Sequence, residues 1–266
     1  MTDSTPPSSE QWRTYDEFAA GIDTYRLPST TLNGITLSFT LEDQARLRLD
    51  FSQDQVEWVF EEPNTPPRSA CDPYDAVAVR DDVVFVHLAL TSRDGEALTL
   101  VYSSTNNHVI VVQSIIHDKE VEGEPRVHQN FWAGSLDGKK PIGSTPGPSR
   151  DLIGTRNLYR YSPEHLYEHV YLSSTRYTWQ CIEGVQRGHG DTDLSTVWKL
   201  DDGLYLFCFR EFRIAVASVW LHDLGDRLRT TGIFLGLTSS GLSEHSRAGG
   251  HIRPLGSVTY PGTQPV

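Results

Sequence analysis

The chain has 266 residues, of which 38% are hydrophobic and 10% aromatic, so it can bury a substantial core and is not globally disordered. Its 23 basic and 35 acidic residues give a net charge of −12, which argues against a surface for nucleic acids or anionic membranes. Three scattered cysteines indicate no disulfide framework, and no apolar run approaches the roughly 18–20 residues of a membrane helix. Together these features predict a cytoplasmic globular protein.

The first elements predicted along the chain are a tail and a short helix. Residues 1–9 are polar and rich in proline and serine, which favours a disordered tail and not a secretory signal. Trp12, Tyr15 and Phe18 then fall at helical spacing, and Gly21 would end the helix.

Short strands dominate the sequence after this helix. Each is rich in β-branched and aromatic residues and is bounded by turn chemistry such as Arg93-Asp94-Gly95. The predicted strands of the first half are residues 36–41, 45–51, 56–60, 76–79, 83–90, 98–102 and 109–116. Their close spacing, without helices between them, predicts an antiparallel meander.

The best candidate boundary in the chain is residues 137–150, a stretch dense in glycine, proline and serine. It predicts a linker between an N-terminal half, residues 10–136, and a C-terminal half, residues 151–266.

The second half repeats the first at a nearly constant offset. Asp81 aligns with Asp201 at an offset of 120 residues, and Trp58 aligns with Trp179 at an offset of 121. Two copies of one β-meander are the economical interpretation. A meander of about eight strands can close into a barrel that holds one small ligand, so either two barrels or one composite sheet is expected.

Several motifs of the second half resemble those of a known protein family. They are Tyr161-Ser162-Pro163, Tyr167-Glu168-His169, Tyr177-Thr178-Trp179-Gln180-Cys181, Leu204-Tyr205-Leu206-Phe207, Arg210-Glu211 and Arg229-Thr230-Thr231-Gly232. They are similar to hallmarks of the molybdenum cofactor biosynthesis protein F (MoaF) family, strongly over residues 152–236 and weakly in the first half. The resemblance implies an all-β fold with calycin- or lipocalin-like antiparallel barrels, and it implies no defined reaction. Similar barrels serve as decarboxylases, cyclases and binding proteins, so fold alone does not select a function.

Charged residues in these motifs are the candidate catalytic groups. Glu168 and His169 are neighbours in a strand, so only one of the two can face a barrel interior. His169 could act as a general acid or base, or one of the pair could be a structural polar group.

A second candidate pair, Arg210 and Glu211, follows an apolar strand and also points to opposite faces. A buried Arg210 could bind a substrate oxygen, and a buried Glu211 would have a raised pKa and could donate a proton. The alternative is an internal salt bridge that holds the barrel together.

Nearby apolar side chains are candidates for substrate binding. They are Tyr171, Trp179, Cys181, Phe207 and Phe209. Interior aromatic residues of a small barrel line whatever cavity exists, although such residues are more often core. A nucleophilic Cys181 would need a neighbouring base and partial exposure.

Metal and cofactor sites are not indicated by the sequence. Asp191 and Asp193 could share a strand face, but a hard cation needs more oxygen ligands than these two supply. The histidines lack zinc-site spacing, and no phosphate loop or dinucleotide fingerprint is present. We therefore expect no metal, flavin or nicotinamide.

One further polar segment, Trp220-Leu221-His222-Asp223, precedes the turn residues Gly225-Asp226. This order predicts that the segment forms the tip of a hairpin.

Two classes of function remain. The first is a cofactor-free enzyme of specialised metabolism, a lyase, isomerase or cyclase that acts on a small organic molecule by acid–base catalysis. The second is a lipocalin-like carrier or sensor of a hydrophobic small molecule. An enzyme should place ionisable groups together in the cavity, whereas a carrier should have a mostly apolar one. The expected partner is a small organic molecule and not nucleic acid or membrane, and a homodimer is left open.

Overall fold

A computed structural model describes residues 13–266, and the predicted tail, residues 1–9, lies outside this part. The predicted N-terminal helix is present as α1 (Tyr15–Ala19), and a 3₁₀ turn follows at Glu42–Gln44. All other regular elements are antiparallel strands, as the sequence predicted. No helix within residues 13–266 is long and apolar enough to cross a membrane.

Eight strands of the first half close into one barrel. They are β1 (Thr36–Leu41), β2 (Arg46–Phe51), β3 (Gln55–Glu61), β4 (Arg68–Ala78), β5 (Val83–Ala89), β6 (Glu96–Ser103), β7 (His108–Ile116) and β8 (Val127–Leu136). Each strand pairs with its neighbour in sequence, and pairing of β1 with β8 closes the ring. Closure removes the exposed edges that an open meander would present.

The second half forms a second closed barrel. Its strands are β10 (Thr155–Ser162), β11 (His165–Tyr171), β12 (Arg176–Glu183), β13 (Gly190–Asp201), β14 (Leu204–Arg210), β15 (Val216–Asp223), β16 (Arg229–Leu237) and β17 (Ser243–Ser257). Pairing of β10 with β17 and of β12 with β13 completes the ring. The short strand β9 (Gly147–Pro148), between the barrels in sequence, pairs with β13. The predicted repeat therefore corresponds to two barrels and not to one composite sheet.

Corresponding residues of the repeat occupy corresponding positions in the two barrels. Trp58 lies opposite Leu49 in the first barrel, and Trp179 lies opposite His169 in the second. The interior of the first barrel is mainly leucine, valine and phenylalanine, whereas the interior of the second is mainly tyrosine, phenylalanine and tryptophan. The two barrels therefore share a frame but have chemically different interiors.

A third apolar core joins the barrels side by side. Residues from the outer face of β14, such as Leu206 and Cys208, pack there with Val77 and Phe85 of the first barrel. Strand β14 is consequently buried on both faces, one against its own barrel interior and one against the neighbouring barrel.

Candidate ligand cavity

The interior of the second barrel contains a small cavity of about 30 Å³. It is lined by Phe18, Ile22, Tyr161, Tyr167, His169, Tyr177, Trp179, Gln186, Phe209, Glu211, Trp220 and Phe234. Aromatic side chains predominate, and lysine and arginine are absent from this lining. A few polar groups in an apolar, concave wall are typical of sites for small molecules.

Glu211 is the acidic residue of this lining. It follows directly after β14, on the same face as Phe207 and Phe209, and it is buried. Burial, together with the negative charges of Asp193 and Asp191, raises the pKa of Glu211 well above its usual value. No hydrogen bond within the described residues offsets this effect. Burial therefore favours the protonated form of Glu211, which can donate a proton.

A second buried carboxyl group lies behind the wall. Asp193 accepts hydrogen bonds from Trp179 Nε1 at 2.9 Å and from the amide of Phe212 at 3.2 Å. Burial raises the pKa of Asp193 to about 6, because these two hydrogen bonds only partly offset the loss of water. Since Phe212 directly follows Glu211, Asp193 holds the backbone that carries Glu211.

His169 is the basic residue of the wall. It lies on β11, and its ring packs 4.3 Å from the ring of Tyr159 and 5.2 Å from that of Tyr177, measured between centroids. Burial lowers the pKa of His169 to about 3, so the imidazole is neutral at pH 7. Its Nδ1 has no hydrogen-bond partner within residues 13–266.

Deeper in the barrel lies a layer of polar aromatic side chains. The hydroxyl groups of Tyr159 and Tyr171 are hydrogen-bonded at 2.7 Å. His222 Nδ1 is 2.8 Å from Thr230 Oγ1, and His222 Nε2 has no partner among the described residues. His222 lies near the end of β15, just before the hairpin turn predicted at Gly225-Asp226, and its side chain is fully buried inside the barrel.

Two of the predicted catalytic residues lie outside the cavity. Arg210 points to the interface between the barrels, where its guanidinium donates to Gln129 Oε1 at 3.0 Å and to Thr196 Oγ1 at 3.1 Å. Glu168 faces the outside of the second barrel and is hydrogen-bonded by Arg156 and Gln180. The hydrogen bond from Arg156 lowers the pKa of Glu168, whose side chain is buried beneath the exposed Arg156.

The predicted substrate-binding residues occupy different depths. Trp179 and Phe209 line the cavity, whereas Tyr171 and Phe207 belong to the aromatic core beneath it. Cys181 is also buried in this core, and burial raises the pKa of its thiol. A raised thiol pKa disfavours the thiolate that a nucleophilic cysteine requires.

The first barrel provides an internal comparison for the cavity. Strand register places Leu49 where the second barrel has His169, and Tyr102 where it has His222. Leu90 follows β5 as Glu211 follows β14. Two of the three polar positions in the second barrel are thus leucine in the first. A histidine or glutamate is not required at these positions to build the barrel.

Within residues 13–266, no three side chains of histidine, cysteine, aspartate or glutamate converge as a metal site. Asp191 and Asp193 are engaged separately, by Arg213 and by Trp179.

Two closed antiparallel eight-stranded barrels, one with an aromatic cavity, define a two-barrel protein of the calycin-like class. The chain matches the MoaF N-terminal domain over residues 10–118 and the MoaF C-terminal domain over residues 146–258. It is 34% identical to Protein MoaF of Klebsiella aerogenes over 179 residues, which are 63% of this chain and 67% of that protein. The chain belongs to the MoaF family.

Among solved structures, the chain is similar to a protein from Burkholderia vietnamiensis described as a β-lactamase. The identity is 14% and the TM-score 0.35, and the match covers 41% of this chain and 100% of that one. A likeness at this TM-score carries no argument about fold or activity.

Proposed function

We propose that the second barrel binds a small organic substrate and catalyses a cofactor-independent acid–base reaction of the lyase, isomerase or cyclase type. The observation that carries this proposal is the presence of Glu211 and His169 on the wall of one aromatic cavity. The first barrel folds with leucine at both positions, so these two residues are surplus to the structural needs of the barrel.

Glu211 is the proton donor in this proposal. Its raised pKa favours the protonated carboxylic acid, which can deliver a proton to a carbonyl or hydroxyl oxygen of the substrate. Trp220 also lines the cavity, and its Nε1–H has no acceptor among the described residues. The indole is therefore available as a second donor to the same oxygen.

His169 is the proton acceptor. Because its imidazole is neutral, it offers a lone pair to a C–H or O–H group of the bound substrate. In an isomerisation, the C–H bond breaks as its proton moves to His169, and an O–H bond forms with the proton from Glu211. Water returns the proton from His169 to Glu211 after the turnover, so no co-reactant is consumed.

The lining also supports a class of substrate. With Glu211 protonated and His169 neutral, the cavity carries no net charge and holds no cationic side chain to pair with an anion. Burying an unpaired charge is costly, so an uncharged planar molecule with an oxygen substituent fits best. The faces of Tyr177, Trp179 and Trp220 provide stacking partners for such a ring.

The experiment uses 2-tetralone, a neutral bicyclic ketone with exchangeable α-protons. Exchange of these protons in deuterated buffer, followed by proton NMR, should exceed the buffer rate in the presence of the protein. Glu211→Gln should reduce the catalysed rate by about 10²–10⁴-fold, as expected for the loss of a general acid.

The matched control is Glu168→Gln, which alters a carboxylate on the outer face of the same barrel. It should retain the catalysed exchange to within about twofold, a difference of about 0.4 kcal/mol. Saturable binding of 2-tetralone without catalysed exchange would support a carrier and contradict the enzyme. Equal loss of exchange in both variants would remove Glu211 from the mechanism.

A further inference from the structure

The N-terminal strap, residues 13–26, lies across the second barrel although it precedes the first barrel in sequence. Phe18 and Ile22 of this strap line the cavity together with residues of the barrel wall. The ring of Phe18 packs at 5.4 Å from that of Phe234, between centroids. The cavity is thus enclosed by residues from both halves of the chain.

Strand β16 has no side chain at Gly236, and the start of the strap packs there. A Cβ atom at Gly236 would lie 3.1 Å from Cγ of Tyr15, so only glycine leaves room for this ring. Tyr15 is buried there, and its hydroxyl donates to Ser246 Oγ at 2.7 Å. Asp16 accepts from the amide of Ser239 at 3.0 Å. The barrel surface is therefore shaped for this segment.

The other end of the strap is held by hydrogen bonds to its backbone. The amide of Tyr25 donates to the carbonyl of Tyr161 at 3.0 Å, and Arg229 donates to the carbonyl of Tyr25 at 2.6 Å. Between the two ends, Gly21 has φ of +80°, a left-handed conformation that favours glycine. Gly21 therefore lies between the five-residue helix and the part of the strap that is held at Tyr25.

The cavity is too small for a ring-sized ligand unless part of its wall moves. A volume of about 30 Å³ holds roughly two water molecules, whereas an apolar cavity that binds benzene measures about 150 Å³. The barrel strands are hydrogen-bonded on both sides, whereas α1 packs on the barrel through buried side chains and, within residues 13–266, forms no backbone–backbone hydrogen bond with a barrel strand. Elements with few such contacts open at the lowest free energy.

We infer that the strap is part of the ligand site, that it opens to admit the ligand, and that Phe18 and Ile22 limit ligand size. This inference rests on the proposed function, because it assumes that the cavity is the ligand site. It adds a contribution from the N-terminal half to a site otherwise built by the C-terminal half.

A reversible disulfide tests the opening of the strap. The Gly236 Cβ position lies within reach of Tyr15, so Tyr15→Cys with Gly236→Cys should form a cross-link. Cys71, the exposed native cysteine, is replaced by serine in the same chain. The oxidised protein should take up 2-naphthol at least about tenfold more slowly than the reduced protein, a barrier increase of about 1.4 kcal/mol. Equal uptake rates in the two forms would overturn the inference.

Phe18→Ala tests the limit on ligand size. The variant should bind 2-naphthol about tenfold more tightly than the wild type, a difference of about 1.4 kcal/mol, and phenol with little change. Glu17→Gln, on the exposed face of the same helix, is the matched control and should bind both probes like the wild type. A Phe18→Ala effect of the same size for phenol and 2-naphthol would contradict the size limit.

Phe209→Trp separates the two proposals. The larger ring should fill the cavity and abolish binding of 2-naphthol in both the wild-type and Phe18→Ala backgrounds. If binding is abolished but the cross-link has no effect, only the inference about the strap fails. If binding persists in Phe209→Trp, the probe binds elsewhere and the proposed function of the cavity fails with it.

Discussion

The indole Nε1 of Trp179 donates a hydrogen bond to the buried carboxyl group of Asp193 at 2.9 Å. The first barrel has the same pair, in which Trp58 Nε1 lies 2.8 Å from Asp72 Oδ2. Asp72 also accepts hydrogen bonds from Thr91 and Ser92, whereas the second barrel supplies only the Phe212 amide as a further donor. A carboxylate that is fully satisfied in one barrel is thus left under-satisfied in the other, next to Glu211.

The two aspartates should therefore have opposite effects on stability as pH changes. The pKa of Asp193 is raised to about 6, so the folded state binds its proton more tightly than the unfolded state. The contribution of Asp193 to stability is full below about pH 4 and is lost as pH rises towards 6, by roughly 3 kcal/mol in total. Asp193→Asn should remove this loss, as measured by urea denaturation between pH 4 and 7.

Asp72→Asn is the matched variant in the first barrel. Burial alone would raise the pKa of Asp72, but the hydrogen bonds from Trp58, Thr91 and Ser92 lower it overall. Its ionised form therefore stabilises the fold above about pH 4, and this stability is lost in acid. Asp72→Asn should destabilise the protein at pH 7 and less so at pH 4. Parallel pH profiles for the two variants would contradict the distinction between the barrels.

Arg210 should act on stability and not on ligand binding. Its guanidinium is held by Gln129 and Thr196 between the barrels and does not line the cavity. Arg210→Met should cost about 1–3 kcal/mol through lost hydrogen bonds, measured by denaturation, and should leave 2-naphthol affinity within about twofold. A large loss of affinity in a stable Arg210→Met protein would instead support Arg210 as a substrate anchor.

The fold was more predictable from the sequence than the site. Alternating patterns located six of the eight strands of the first half to within a few residues. Strand β4 begins at Arg68, well before the predicted segment 76–79, and β8 was not predicted as a strand. The alternation of side chains along a strand also placed Arg210 and Glu211 on opposite faces, but it could not show which of the two faces the cavity. Strand β14 is apolar on both faces because its outer face packs on the first barrel, and this packing is a non-local contact.

The burial of His222 and the position of the strap also depend on contacts that local sequence patterns do not reveal. The turn residues Gly225-Asp226 lie so close to His222 that local sequence favours a hairpin tip, although the strand is still inside the barrel at this point. The helix α1 was predicted from its spacing, but its position on the second barrel depends on Gly236, more than 200 residues away. Comparison of the two repeats could have indicated the site. Two positions that are leucine in the first repeat are histidine or glutamate at the equivalent positions of the second.

The ion pair between Arg80 and Asp223 should couple the stability of the two barrels. Arg80 of the first barrel donates two hydrogen bonds to the fully buried Asp223 of the second, at 2.9 and 2.8 Å. Asp223→Asn leaves Arg80 without its counter-charge and should cost about 3–5 kcal/mol in chemical denaturation. Asp226→Asn changes an exposed carboxylate nearby and should cost less than about 1 kcal/mol. Equal effects of the two substitutions would show that the pair does not couple the barrels.

His222 should make the protein sensitive to acid. Burial holds its pKa well below 6.5, so the unfolded chain takes up a proton below pH 6.5 and the folded chain does not. Its contribution is absent above pH 6.5, and it destabilises the fold increasingly as pH falls below that value.

His222→Phe keeps the aromatic packing against Tyr159 and Phe207 but cannot be protonated. At pH 7 the variant should lose about 1 kcal/mol, because the buried hydroxyl of Thr230 loses its partner. Between pH 6.5 and 5 it should lose less stability than the wild type, as measured by denaturant midpoints at each pH. Tyr102→Phe, at the corresponding position of the first barrel, is the control and should follow the wild-type pH profile. Coincident pH slopes for His222→Phe and the wild type would show that His222 is not the acid-sensitive group.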